Sequence, residues 1–154
     1  MTLIPKVKIK KLCDDAVVPS YACVGDAGMD LTAVSKESDG DGNVVYGTGL
    51  AFEIPEGYVG LLFPRSSNAR KSLLLSNSVG ILDSGFRGEV MFKFRKTYSL
   101  ALSGQMMHRV DREYEVGDRI GQLIILPFPR IEFDVVDELS PSERGAGGYG
   151  HSGK

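Results

Sequence analysis

The last eleven residues, Arg144 to Lys154, interleave five glycines with an arginine, an aromatic ring and a hydroxyl. The stretch has no apolar periodicity and too much backbone freedom to hold a helix or strand unaided. It does have the parts of a nucleotide clamp. Glycine lets backbone N–H groups converge on phosphate oxygens, Arg144 supplies a planar charged fork, and Tyr149 offers a face on which a base can stack. Four internal stretches carry compatible groups. Ala27-Gly28-Met29-Asp30-Leu31 places a carboxylate just after a glycine. Pro64-Arg65-Ser66-Ser67 stands at the start of a segment read as a short helix, where free N–H groups and the dipole favour an anion. Gly80-Ile81-Leu82-Asp83-Ser84-Gly85-Phe86 holds an acid, Asp83, between two apolar residues and a glycine turn. Gly117-Asp118-Arg119-Ile120-Gly121-Gln122 delivers an amide at the start of a strand.

Each group also has an ordinary structural use. Asp30 or Asp83 can hold a turn, Ser66 can cap a helix, and Phe86 can be core. Gln122 alone says nothing, and a glycine-rich chain end is commonly just disordered.

The elements that must position these residues read as strands. Leu50, Phe52 and Ile54 alternate with Ala51 and Glu53 before the turn Pro55-Glu56-Gly57, and Tyr58 to Phe63 follows. Val90, Phe92 and Phe94 alternate with Met91, Lys93 and Arg95, and Val7 and Ile9 alternate with lysines. Ile120 to Phe128 is a largely apolar strand ended by Pro127 and Pro129. Ser66 to Leu73 breaks the pattern: good cap residues, with Ala69 and Leu73 at i, i+4, predict one short helix. Residues 35–43 read as an exposed loop. In residues 96–118, Met106, Met107, Val110 and Tyr114 read as packing on a partner or covering an edge. The fold class is all-β, with short strands in a barrel or jelly-roll-like arrangement.

Composition bounds the function. At 154 residues with 42% hydrophobic and 25% charged content, the chain makes one domain with a genuine core. A formal charge of -2 gives no general field for nucleic acid, so a nucleotide would be held by local groups. Cys13 and Cys23 have no metal-site spacing and suit a reducing compartment, and two histidines are too few for a usual zinc site. No apolar run approaches membrane-spanning length, and the start lacks the apolar core of a signal peptide, which together point to the cytoplasm.

Taken in order and spacing, the five stretches resemble the trimeric dUTPase family (deoxyuridine triphosphate nucleotidohydrolases) from about residue 24 to the end. That resemblance implies a jelly-roll-like β domain over residues 1–139 and a flexible C-terminal arm over 140–154. It also implies a homotrimer with three sites at subunit interfaces, the arm of one chain closing the site of another. The implied reaction is Mg²⁺-dependent hydrolysis of dUTP to dUMP and pyrophosphate by water attack on the α-phosphorus. This keeps uracil out of DNA and supplies dUMP for thymidylate synthesis. Asp83 matches the base that deprotonates the water, and Arg65, Ser66, Ser67 and Gln122 match the phosphate-holding residues. The hairpin Asn77 to Ile81 would imitate a pairing partner for uracil through its backbone, with Asn77 and Gly80 at the base. Phe86 would lie under the deoxyribose and exclude a 2′-hydroxyl. In the arm, Arg144 would contact the terminal phosphate, Gly147 and Gly148 would wrap the chain, and Tyr149 would stack on uracil. The Mg²⁺ would be held by substrate phosphates rather than by the protein directly, with Asp30 able to reach its water shell.

The match has departures: Ser67 stands for a usual glycine, Phe86 for a tyrosine, Met29 for an aromatic, and Tyr149 for a phenylalanine. Two rivals share the fold. A dCTP deaminase, alone or bifunctional with dUTPase activity, needs a glutamate where Lys93 falls, with Glu89 nearby as the register alternative. A non-catalytic dUTP sensor or partner-binding module would carry a damaged site, whereas Asp83, Gln122 and Arg144 are all present. The 96–118 stretch exceeds what a minimal member needs, and nothing in it names a protein partner.

Overall fold

The computed structural model describes residues 4–97, 99–100, 106–107 and 113–148. Twelve short strands occur among them: β1 (Lys8–Lys11), β2 (Met29–Thr32), β3 (Ser35–Ser38), β4 (Asn43–Gly47), β5 (Leu50–Glu53), β6 (Tyr58–Pro64), β7 (Leu73–Leu75), β8 (Gly80–Leu82), β9 (Met91–Lys96), β10 (Ser99–Leu100), β11 (Met106–Met107) and β12 (Arg119–Pro127). All the pairings are antiparallel. One four-stranded sheet runs β2-β12-β6-β8, a second runs β3-β4-β9-β7, and the pairs β1-β5 and β10-β11 stand beside them.

One core joins these layers. Leu31, Leu62, Leu82, Ile120 and Leu123 from the first sheet meet Val44, Tyr46, Leu73, Phe92 and Phe94 from the second, with Leu50 and Phe52 from β5. In β9 the expected alternation holds, with Phe92 and Phe94 buried and Lys93 and Arg95 exposed. The sheets approach so closely that a Cβ on Gly121 would stand 2.1 Å from Phe92 Cε1. Only glycine fits that crossing.

Two expectations are corrected. The short helix over 66–73 is a five-residue 3₁₀ turn, Ser66–Arg70, and Leu73 belongs to β7 instead. Leu73 is buried in the core while Ala69 is exposed, so they do not share a helical face. The loop over 35–43 is a hairpin: Ser35–Ser38 pairs with Val44 to Gly47 of β4. Its sequence is polar because β3 is an edge strand with little to bury. The true turn is residues 39–42, where Gly40 and Gly42 take positive φ (82° and 81°) and the Asp39 carboxylate accepts from the Asp41 and Asn43 N–H groups.

The chain between β9 and β12 is also different from expectation. Tyr114 is a core residue, 2% exposed, rather than a partner contact or an edge cover. Met106 and Met107 form β11 against β10, and Val110 lies outside the described residues.

Candidate active site

Strand register places the first group of candidate residues. Gln122 on β12 lies opposite Asp30 on β2 and opposite Phe63 on β6. Pro64 ends β6, so Arg65 leaves the sheet beside them and opens the 3₁₀ turn. Arg65 Nε donates to Asp30 Oδ1 at 2.7 Å and Nη2 to Oδ2 at 3.1 Å, a bidentate fork on a partly buried carboxylate. Nη1 donates to Ser67 Oγ at 3.3 Å. A guanidinium has five N–H donors, so two remain for an anion. Gln122 Nε2 donates to the Pro64 carbonyl at 3.1 Å. A Cβ on Gly28 would fall 2.5 Å from Gln122 Oε1, which explains the glycine before the motif's acid. A cavity of about 360 Å³ opens here, with Asp26, Gly28, Asp30 and Gln122 in its wall.

The turn itself changes the electrostatic reasoning. A single 3₁₀ turn has little macrodipole, so the helix-dipole expectation does not carry over. What it presents are the Ser66 and Ser67 N–H groups, which precede its first backbone bond, Asn68 N–H to the Arg65 carbonyl at 2.9 Å. The turn is held from below by Tyr114. The Tyr114 hydroxyl donates to Asn68 Oδ1 at 3.3 Å. Burial pushes the Tyr114 phenol up, outweighing the opposing influence of the nearby Ser67 hydroxyl and of the Arg65 charge.

Arg119 is a site residue that sequence reasoning passed over. Its Nη1 donates to Asp30 Oδ2 at 3.1 Å. Residues three apart in a regular strand face opposite ways, but the β12–β2 register shifts between Arg119 and Gly121. That bulge lets Arg119 reach the carboxylate of Asp30, the strand partner of Gln122. A bulge has no reliable sequence mark; the only signal was the charge in Gly117-Asp118-Arg119.

The second group surrounds the link from β7 to β8. The expected hairpin is a tight turn between sheets, since β7 pairs with β9 and β8 with β6. Ser78 takes φ 60°, the Ser78 N–H donates to the Leu75 carbonyl at 3.0 Å, and the Val79 N–H donates to Asn77 O at 2.6 Å. Gly80 is buried against Leu62, where a Cβ would come within 3.0 Å of the leucine. Asn77 and Gly80 line a cavity of about 390 Å³ together with Asn43, Ser76, Met91 and Lys93. Asp83 follows β8 directly and is exposed, its carbonyl accepting from the Phe86 N–H at 3.0 Å. Phe86 is 44% exposed, a surface ring and not core, and its Cζ would meet a Cβ on Gly88 at 2.7 Å.

The structure therefore gathers the candidates into two groups and keeps them apart. Leu82 pairs with Gly60 at one end of β6, whereas Arg65 follows its other end. Asp83 thus stands level with Val59, six residues from Arg65, a separation of roughly 20 Å along a strand. The arm forms a third piece, bonded to itself: Arg144 Nε donates to the Gly147 carbonyl at 2.9 Å, the Gly147 N–H returns to the Arg144 carbonyl at 3.2 Å, and Gly145 has φ 53°. Gly148 ends the described arm and Tyr149 lies outside the described residues.

Four of the motifs and the beginning of the fifth now have a place on an all-β fold, and the family model for dUTPase matches residues 14–153. The chain belongs to the dUTPase family. Similar curated relatives are the deoxyuridine 5′-triphosphate nucleotidohydrolases of Azotobacter vinelandii and Alcanivorax borkumensis. The first is 37% identical over 153 residues, covering 96% of this chain and 95% of the relative. The second is 37% identical over 160 residues, covering 100% and 99%. Among solved structures, the Staphylococcus bacteriophage 80alpha dUTPase with dUpNHpp superposes with a TM-score of 0.72 at 28% identity, covering 97% of this chain and 99% of that one. A mutant dUTPase from phage phi11 of S. aureus, solved with a structural Mg(II) ion, gives 0.65 at 25% identity and covers 86% and 97%.

Within the family the deaminase alternative turns on two side chains, and both are occupied elsewhere. Lys93 pairs with Asp39 at 2.6 Å, and Glu89 Oε1 accepts from the Gly49 N–H at 2.8 Å. Among the described residues no three His, Cys, Asp or Glu side chains form a metal cage. No described helix is long and apolar enough to cross a membrane.

Proposed function

We propose that this dUTPase-family chain hydrolyses dUTP to dUMP and pyrophosphate in a homotrimer whose sites lie between subunits. The observation that carries the reading is the separation of Asp83 from the Asp30–Arg65–Gln122 group across the length of β6. A triphosphate is far too short to touch both in one chain. A second copy of the chain supplies the missing half. Support comes from residues 131–135, where exposed Ile131, Phe133 and Val135 alternate with Glu132 and Asp134 and have no strand partner among the described residues. An apolar edge of that kind needs a neighbour to cover it.

In this reading Asp83 accepts a proton from water as the water oxygen bonds to the α-phosphorus, and the bond to the bridging oxygen breaks to release pyrophosphate. Arg65, Ser66 and Gln122 of another subunit hold the phosphates, with the Ser67 N–H beside them. Positioning and charge supply most of the acceleration in such transfers. Asp30 holds the Arg65 and Arg119 guanidinium groups in place, which leaves the phosphates to be met by their free donors. A Mg²⁺ carried on the triphosphate oxygens would offset charge on the leaving pyrophosphate.

Uracil would enter the cavity beside Asn77 and Gly80. Backbone groups of the turn would pair with its N3–H and O4, a pattern that cytosine reverses at the cost of buried unpaired groups. Phe86 would lie under the sugar, and the Arg144–Gly148 arm with Tyr149 would close over the phosphates and base. The free, exposed Cys13 and Cys23 suit the reducing cytoplasm as its place of action.

The test is product analysis with Mg²⁺ and dUTP, dCTP, dTTP or UTP in separate reactions. dUMP and pyrophosphate from dUTP alone is the expected result. Ammonia from dCTP, or dUTP bound without turnover, would overturn it.

A further inference from the structure

The loop from Asp83 to Glu89 carries the base and the sugar platform of the reaction just described, and it crosses from β8 in the first sheet to β9 in the second. A segment passing between sheets has no ladder of its own, so its placement falls to turns and side chains. Its start is set by Leu82, which is buried and paired with Gly60. Its backbone closes a turn, with the Phe86 N–H on the Asp83 carbonyl at 3.0 Å. Two charged side chains that the reaction leaves unused, Arg87 and Glu89, flank Gly88 and hold the remainder.

Arg87 braces the turn from within. Its Nη1 donates to the Ser84 carbonyl at 2.6 Å and to the Phe86 carbonyl at 2.8 Å. One nitrogen with two hydrogens thus ties two peptide units of the turn that presents Asp83, and its charge strengthens both bonds. The Phe86 ring lies so close to Gly88 that a Cβ there would stand 2.7 Å from Cζ, so the ring takes its direction from the same braced segment.

Glu89 latches that segment to the corner between β4 and β5. Its Oε1 accepts from the Gly49 N–H at 2.8 Å. A Cβ on Gly47 would stand 2.6 Å from the same oxygen, so only glycine there lets the carboxylate in. Beside the latch, the fully buried Thr48 donates its hydroxyl to the Val90 carbonyl at 2.7 Å, and the Val90 N–H reaches the Leu50 carbonyl at 2.8 Å.

We propose that Arg87 and Glu89 are positioning residues for the hydrolysis: Arg87 keeps the shape of the Asp83–Phe86 turn, and Glu89 keeps its place against the β4–β5 corner. Ordering the base and the ring before substrate arrives matters because a displacement of about 1 Å lowers the rate steeply. Arg65 follows the other end of β6, so neither contact touches the phosphate grip of its own chain.

The inference rests on the dUTP-hydrolysing reading, and the experiment separates the two. Arg87→Met keeps the stem and removes the donors; Glu89→Ala removes the latch; Glu89→Gln keeps an acceptor for the Gly49 N–H. Each is compared with wild type for kcat, KM, dUTP/UTP selectivity and melting temperature, with affinity for a non-hydrolysable imido analogue of dUTP measured by calorimetry. Arg87→Met and Glu89→Ala should each lower kcat about three- to tenfold and reduce dUTP/UTP selectivity, while analogue affinity changes less than about twofold. Glu89→Gln should stay within about twofold of wild type in kcat. Wild-type kcat and selectivity in either Arg87→Met or Glu89→Ala would overturn the inference while wild-type turnover still upholds the function. So would a Glu89→Gln as impaired as Glu89→Ala, or losses in kcat matched by equal losses in analogue affinity. If Glu89→Ala fails to fold, Arg87→Met, on an exposed side chain, decides between these outcomes alone. Wild-type protein inert to dUTP would defeat the function itself, and the inference with it.

Discussion

If Asp83 and Arg65 serve one site from two chains, two inactive variants should rescue each other. Leu82 opposite Gly60 puts Asp83 level with Val59, and the six residues on to Arg65 span roughly 20 Å at about 3.3 Å each. A base must stand within about 3 Å of the water it activates, so no single chain can complete the site. Asp83→Asn should cost about 3–5 kcal/mol of barrier, and Arg65→Gln should be similarly crippled while keeping a polar contact to Asp30. In a mixed cyclic trimer, one of the three interfaces pairs an intact Asp83 with an intact Arg65. Mixed trimers isolated by two different tags should therefore recover about one third of wild-type pyrophosphate release, and an unselected equal mixture about one quarter. Mixed trimers that stay at the single-variant background, while melting like wild type, would refute the shared site.

Four further outcomes follow from particular contacts. Gly121→Ala drives a Cβ into the Phe92 ring at 2.1 Å and should cost about 1–3 kcal/mol, visible as a lower melting temperature; an unchanged melt would contradict the sheet-to-sheet contact. Phe86→Ala, which empties the exposed ring beside Asp83, should relax discrimination against UTP, and unchanged dUTP/UTP selectivity would move sugar recognition elsewhere. Deleting residues 143–154 should leave a folded trimer with poor turnover, whereas full activity would remove the arm from the site. Burial raises the Glu113 carboxyl, but bonds from Lys96 and Lys36 outweigh it and hold it below its ordinary 4.5. The stability it contributes is complete above that value and lost as pH falls through the lower folded one. Glu113→Gln should therefore flatten the acid limb of a stability–pH curve, and an unaltered limb would show that the cluster contributes nothing there.

The amino-acid sequence by itself determined the strand that buries one face, because alternation in β9 is written residue by residue. It also determined the five motifs, since glycine, arginine and carboxylate at those spacings keep their chemistry whatever surrounds them. It did not determine β3, whose polar residues have no inward face to reveal a strand and which exists through backbone pairing with β4. The 66–73 segment had helical caps and spacing, yet β7 claimed Leu73 because pairing with β9 and burial of the side chain outweigh weak local propensity. Arg119 needed a bulge, and Tyr114 needed a core pocket between Tyr46 and Phe94, before either could be seen at the site. The division of the site between the two ends of β6 was likewise invisible in linear order. Local chemistry is carried by single residues and short spacings, but which residues meet is a sum over long-range contacts. Only the tertiary structure performs that sum.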